Sequence, residues 1–438
     1  MSGNEKNKKC FIVMAIVLVC FAFSPPQAGA DTWLERQKLL ASDGAARDYF
    51  GCSVSISGDY AIVGAYYDDD KGSESGSAYI FRWDGIAWVQ QQKIIASDGA
   101  AGDHFGISVF ISDDFAIVGA DGDDIGKGSA YIFKWNGASW VQQAKLIASD
   151  GAGVDWFGCS VSISSDYAVV GADGDDDKGS NSGSAYIFNR SGETWSQQQK
   201  LIASDGAASD VFGNSVSISV DFAIVGAYQD DDKGSNSGSA YIFKRDGTSW
   251  SQQAKMTASD GAADDYFGYS VSISGDLAII GATQYFTSGT GKAYIFKRDG
   301  TNWSEQAKMT ASDGTTGDSF GWSVSISGDL AIVGAPSDDD QGDYSGSAYI
   351  FKRNGTSWIE QQKLIASDGA AIDLFGWYVS ISGNLAIVGA KYDDDKGDES
   401  GSAYIFNRFC PRADLNDDCK VDFVDLAIFA DSWLYGTE

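Results

Sequence analysis

One histidine, His104, occurs in 438 residues. That scarcity removes any recurring Ser/His/Asp or Cys/His arrangement from the catalytic options. Basic residues are also outnumbered, with 31 Lys and Arg against 61 Asp and Glu and a net charge of −30. Phosphate backbones and anionic lipid surfaces are repelled by such a field, so nucleic-acid and membrane-surface partners are disfavoured and cations or basic partners favoured. Long apolar runs are nearly absent. The one candidate, Phe11 to Phe23, is too short to span a bilayer. It follows Lys6, Lys8 and Lys9 and precedes Ala28-Gly29-Ala30, so residues 1–30 read as a secretory signal. Bulky Leu18 and Val19 ahead of Cys20 argue against a lipid-modified cysteine. The mature chain, at about −32 once the +2 of that segment is lost, is expected to be secreted or held at the cell surface without a membrane span.

Cysteines number six, and Cys10 and Cys20 leave with the signal. Cys52 and Cys159 fall in non-adjacent copies of a repeat and are expected to stay unpaired. Cys410 and Cys419 are close enough in sequence for a disulfide in an oxidising compartment.

Phe-Gly is what the chain has in abundance. The pair begins at Phe50, Phe105, Phe157, Phe212, Phe267, Phe320 and Phe375, each followed fourteen residues later by Gly-Ala. Spacings of 52 to 55 residues make nearly the whole chain one unit copied seven times, an array that buries its apolar faces against neighbours. Within a copy, Ser53-Val54-Ser55-Ile56-Ser57 alternates like a two-faced strand. Tyr60 to Ala65 is continuous enough to be covered on both sides. A polar loop leads to a third strand at Ser77 to Phe81. Asp84-Gly85 predicts a two-residue hairpin, and Trp88 to Ile95 a polar outer edge. Four antiparallel strands in seven copies predict an all-β, seven-bladed propeller over residues 31–409. The last copy lacks a fourth strand and Trp33 to Leu40 supplies an extra one, so the N-terminal strand is expected to complete the seventh blade and close the ring. The Phe-Gly and Gly-Ala pairs read as packing seams between blades.

The pattern Phe-Gly-x-Ser-Val-x-Ile-Ser-Gly-Asp-x-Ala-Ile-Val-Gly-Ala, continued by Gly-Ser-Ala-Tyr-Ile-Phe, resembles the bacterial FG-GAP repeats, relatives of the propeller of integrin α-subunits. The resemblance covers about residues 31–409 and implies an extracellular binding or adhesion scaffold, monomeric, for a protein or glycan ligand. It names no ligand. Integrin-type repeats hold calcium between strands one and two, where this chain has only Ser57-Gly58-Asp59, so those sites do not carry over.

Alternate loops of a meander share a face. One face therefore collects Asp68 to Asp70, Asp175 to Asp177, Asp230 to Asp232, Asp338 to Asp340 and Asp393 to Asp395, together with the Ser-Asp-Gly loops from Asp43 through Asp368. Asp68, Asp70, Asp175, Asp177, Asp230, Asp232, Asp338, Asp340, Asp393 and Asp395 form a candidate ligand or cation rim. Calcium is one reading. A solvated loop is the other, since exposed like charges about 4 Å apart repel by only about 1 kcal/mol in water. Much of the basic charge, at Lys134, Arg190, Arg245, Arg298 and Arg353, falls at the opposite turns. The second copy shortens its loop to Asp121-Gly122-Asp123-Asp124. The fifth replaces it with a stretch containing Tyr285 and Phe286, aromatics where a partner could dock. His104 stands where other copies have Tyr49, Trp156 or Leu374 and reads as a loop variant. A carboxylate-based hydrolase is the residual catalytic option; the expectation is no enzyme.

Residues 410–438 leave the repeat. Asp414, Asn416, Asp418, Asp422 and Asp425 fall at positions 1, 3, 5, 9 and 12 of an EF-hand loop, with the Lys420 carbonyl at position 7. An apolar helical stripe from Phe423 to Leu434 follows. The segment resembles one half of a type I dockerin, which implies calcium binding and a cohesin-like partner. It departs in having a single loop, Cys419 for the turn glycine and Asp425 for the bidentate glutamate. A competing role is therefore an accessory component of an extracellular polysaccharide-degrading assembly.

Overall fold

The computed structural model describes residues 32–284 and 289–409. The signal at 1–30, Tyr285 and Phe286, the Cys410/Cys419 pair, the calcium loop from Asp414 to Asp425 and its helix lie outside the described residues. The chain divides into two compact units, Leu34–Asn407 and Met1–Trp33 with Arg408–Glu438. The blades belong to the first.

Seven four-stranded antiparallel sheets account for almost all of the described chain. In the first blade, Val54–Ser57, Tyr60–Ala65, Ser77–Trp83 and Trp88–Ile94 pair in that order. In the seventh sheet, Thr32–Leu39 is the hydrogen-bonded neighbour of Ser402–Phe409, ahead of Leu385–Ala390 and Phe375–Ser382. Innermost strands meet their counterparts in both adjacent blades, the seventh meeting the first. The continuous apolar run of the second strand follows from burial on both sides, with Ala61, Ile62 and Val63 all fully covered.

The repeated glycines and phenylalanines are the seams. Every Phe of the seven Phe-Gly pairs is 0% exposed. Phe50 stands edge-on to Tyr79 and Phe81, with ring centroids 5.4 and 6.1 Å away. A Cβ on Gly64 would come within 2.0 Å of the Gly106 carbonyl in the next blade, and one on Gly389 within 2.0 Å of the Gly51 carbonyl. Only glycine permits that approach.

The alternating serines have a second use. An innermost strand has an unpaired edge, and the serines satisfy it: Ser53 Oγ accepts from the Val109 N–H at 3.0 Å and Ser55 Oγ from the Ile111 N–H at 3.2 Å. Outer edges are stitched similarly. The Gln37 amide donates to the Trp88 carbonyl at 2.7 Å and accepts from the Trp88 N–H at 2.8 Å.

One turn differs from expectation. Trp83 pairs with Trp88, so the first hairpin loop is Asp84 to Ala87, longer than a two-residue turn. The Asp84 carboxylate accepts from the Ile86 and Ala87 N–H groups and holds it open. The second blade repeats the longer loop, with Trp135 opposite Trp140, and blades three to six use the shorter turn, as Ser191 opposite Thr194.

Candidate functional site

The acidic loops are brought together, and each encloses a lysine. In the fourth blade the Lys255 ammonium donates to Asp205, Asp230 and Asp232 at 2.8, 2.9 and 2.6 Å. The same trio surrounds Lys93 (Asp43, Asp68, Asp70), Lys200 (Asp150, Asp175, Asp177), Lys363 (Asp313, Asp338, Asp340) and Lys38 (Asp368, Asp393, Asp395). Burial alone would lower the Lys255 pKa; hydrogen bonds to the three carboxylates outweigh it and raise the value. The solvated-loop reading fails for the first Asp of each run. Asp68, Asp175, Asp230, Asp338 and Asp393 are each 4% exposed. Asp230 also accepts from Ser239 Oγ and Tyr241 OH at 3.0 and 2.9 Å, which fixes the loop to the third strand.

Two of these trios, Asp150/Asp175/Asp177 and Asp205/Asp230/Asp232, bring carboxylate oxygens within 4.8 Å of one another, close enough to share a metal ion. The position between them is taken by the lysine ammonium, so the groups as arranged fit an ammonium and calcium would have to displace it. The repeated Lys of the outer strand was the sequence signal for this, and it went unread. At the opposite end, Arg190, Arg245, Arg298 and Arg353 pair with Asp166, Asp221, Asp276 and Asp329, so that basic charge is neutralised locally.

Inside the acidic rim, on the same face, lies a set of residues that sequence reasoning missed. The residue after each Phe-Gly lies at the start of the innermost strand, and the residue after each Gly-Ala immediately follows the second; the Gly51 N–H donates to the Gly64 carbonyl, holding both at one end. The first position reads Cys52, Ile107, Cys159, Asn214, Tyr269, Trp322, Trp377. The second reads Tyr66, Asp121, Asp173, Tyr228, Thr283, Pro336, Lys391. Five residue types in seven otherwise near-identical copies was the available signal.

These residues form a crescent of rings and a facing polar arc. His104 lies 5.8 and 5.6 Å from Tyr66 and Tyr67, and Tyr49 lies 4.9 Å from Tyr67 and 5.3 Å from Tyr392. Trp377 and Trp322 are 4.5 Å apart, Trp322 and Tyr269 4.8 Å, and Tyr269 and Tyr228 5.2 Å. Lys391 joins the two halves, its ammonium 3.3 Å from the Trp377 ring centroid and 4.7 Å from that of Tyr392. Tyr378 replaces the serine found at the equivalent position of the other six blades, and burial raises its pKa. Cys52 and Cys159 are free thiols, and burial raises both. His104 hydrogen-bonds Asp121 at 3.1 Å, which raises its pKa against the effect of burial.

Several polar groups of this arc lack partners. Asp173 Oδ1, Asn214 Oδ1 and Thr283 Oγ1 are buried oxygens without a hydrogen bond among the described residues, and they come from three consecutive blades. Lys391 is 7% exposed and makes no hydrogen bond or ion pair with any described residue. Burial lowers its pKa to about 8, with Cys52 and Glu399 opposing. Burial, then the Asp121 charge, raises Asp173 to about 6. Buried polar groups are normally satisfied, so such a cluster marks a place where something else supplies the bonds. The Nε atoms of Arg190, Arg245 and Arg298, at the opposite turns of the same three blades, are orphaned too, but each of those guanidiniums is otherwise paired with an aspartate. Open grooves at that opposite end, one of about 470 Å³ beside Arg82, Trp83 and Gln91, hold no such cluster.

Among curated proteins nothing matches the chain. The solved structures similar to it include Sqt1 of Saccharomyces cerevisiae, with 11% identity over 82% of this chain and 83% of that one and a TM-score of 0.44. The FG-GAP repeat model matches seven times, at residues 33–81, 88–133, 140–188, 195–243, 250–296, 303–351 and 358–406. With seven repeats matched over most of its length, each running from the outer strand of one sheet through the three inner strands of the next, the chain belongs to the FG-GAP repeat family.

Proposed function

We propose that this propeller is a secreted, non-catalytic binding or adhesion module that engages its ligand on the end where the Phe-Gly and Gly-Ala loops meet. The observation that carries the reading is the concentration of internal divergence at that end of an otherwise repetitive scaffold, where side-chain oxygens of three consecutive blades are buried without a hydrogen bond. The aspartate rim serves as framework, with lysine in place of a bound cation. Its carboxylates are committed to ammonium and hydroxyl partners, which argues against a hydrolytic pair. The N-terminal strand acts as the clasp of the ring. Residues 410–438, by their resemblance to half a dockerin, would recruit the propeller to a cohesin-like partner, with calcium held by Asp414, Asn416, Asp418, Asp422, Asp425 and the Lys420 carbonyl. That tail is also what favours the second reading, an accessory role in a polysaccharide-degrading assembly.

The test compares capture of native extracellular partners by three full-length proteins: wild type, Tyr66→Ala/Trp322→Ala and, at the opposite end, Trp83→Ala. Capture lost only in the first variant supports the face. Capture equal in all three removes it. A chelator arm separates recruitment through the tail from binding by the propeller.

A further inference from the structure

We infer that the axial site binds a saccharide, one sugar ring lying against the Trp322/Trp377/Tyr269 crescent with its hydroxyls on the facing polar arc. The inference rests on the binding reading above and deepens it. Two aromatic pairs at 4.5 and 4.8 Å, tilted by 47° and 49°, make a faceted apolar platform from three consecutive blades, one facet of which suits the C–H face of a pyranose. Asp173 Oδ1 and Asn214 Oδ1 are acceptors that need donors. Lys391 carries donors that need acceptors and is buried beside Trp377.

A sugar hydroxyl is both donor and acceptor, so one ring edge satisfies both kinds of orphan. A purely apolar ligand would leave them unpaired, and a cationic one would meet the Lys391 ammonium. Tyr228, which follows the Gly-Ala of the fourth blade as Asp173 follows that of the third, lies 5.2 Å from Tyr269 and extends the platform toward the polar arc. Asn214 is tied to the same platform, since its Nδ2 donates to the Tyr269 carbonyl at 2.9 Å.

The full-length protein is titrated with neutral oligosaccharides and with their uronic-acid counterparts, read by tryptophan fluorescence and calorimetry. Binding is expected, weakened about tenfold or more by Trp322→Ala and by the near-isosteric Asp173→Asn, with melting temperatures unchanged. Uronate binding lost in Lys391→Met places an acid group on the ammonium. Neutral binding that survives Lys391→Met but not Asp173→Asn places hydroxyls alone in the site. Silence across the whole panel, or binding indifferent to both Trp322→Ala and Asp173→Asn, overturns the inference. A protein partner captured through Tyr66 and Trp322 while the panel stays silent would sink the saccharide and leave the binding face standing.

Discussion

Replacing Lys255 by Met removes one ammonium from a site built around it. The Nζ lies 2.6 to 2.9 Å from three carboxylates and its side chain is 17% exposed. Without it, Asp230, with a side chain 5% exposed, is left beside Asp205 and Asp232 with no ammonium between them. Breaking a buried pair by deleting one partner costs about 3–5 kcal/mol. Asp205 and Asp232 are 46% and 50% exposed and can turn to water, so the lower end, about 3 kcal/mol, applies. Unfolding entropy near 2.1 cal/mol/K per residue gives roughly 0.8 kcal/mol/K for a ring of this size, and hence a fall in Tm of about 4 °C. The vacated trio then resembles an oxygen-ligand site. Millimolar calcium should restore part of the lost Tm in the variant and leave the wild-type propeller transition unmoved. Scanning calorimetry with calcium or chelator decides it. A loss below about 1 kcal/mol, or a wild-type calcium dependence that Lys255→Met abolishes, would refute the assignment of lysine as the rim's resident cation.

Other outcomes follow from the same geometry. Phe212→Ala removes a ring that is fully buried against Tyr241 and Phe243, and should cost about 3–5 kcal/mol by chemical denaturation; an unchanged midpoint contradicts the seam. Stability should fall as pH rises from about 4 to 6, because burial raises Asp48, Asp210 and Asp373 to about 6 and the folded state there holds protons that the unfolded chain has released. It should fall again below about pH 4, where Asp150 and Asp205, lowered through Lys200 and Lys255 against the effect of burial, become protonated. Denaturation midpoints across pH 3–8 that show no maximum on the acid side would contradict both. Deleting residues 32–40 from the mature chain should open the seventh blade and cause association through its exposed edge, visible by light scattering; a stable monomer with unchanged Tm rules out the clasp.

The blades were legible because each strand's chemistry is local. Alternation at Ser53 to Ser57, continuity at Tyr60 to Ala65 and the glutamines from Gln90 to Gln92 each report one environment, and seven copies average out accidents. The seams were legible for the same reason, since Gly64 and Phe105 recur where blades touch. The trios were only half legible. Their aspartates stand out as runs, but the lysine that holds them lies 25 residues on, in the outer strand, and only the fold brings Lys93 to Asp68. The hairpin at Asp84 was misread because Asp-Gly also suits a longer loop once the Asp carboxylate caps two N–H groups.

The axial site escaped for an instructive reason. Repetition draws attention to what recurs, and in this chain what recurs is framework: phenylalanine at the seams, serine on the inner edges, lysine among the aspartates. A sevenfold scaffold satisfied everywhere by identical contacts has no preferred place to bind anything. Specificity requires that the symmetry be broken, and it is broken most where each copy contributes a single side chain to one end of the ring. Asp173, Asn214 and Lys391 are unremarkable in sequence, each a lone substitution in its own repeat. Their significance comes from carrying buried polar atoms that lack hydrogen-bond partners, next to aromatic rings from consecutive blades. Polar atoms left unsatisfied in so regular a structure cost stability, by about 1–3 kcal/mol each. A fold that repairs its inner edges with serines and its rim with lysines would repair these too unless a ligand completes them.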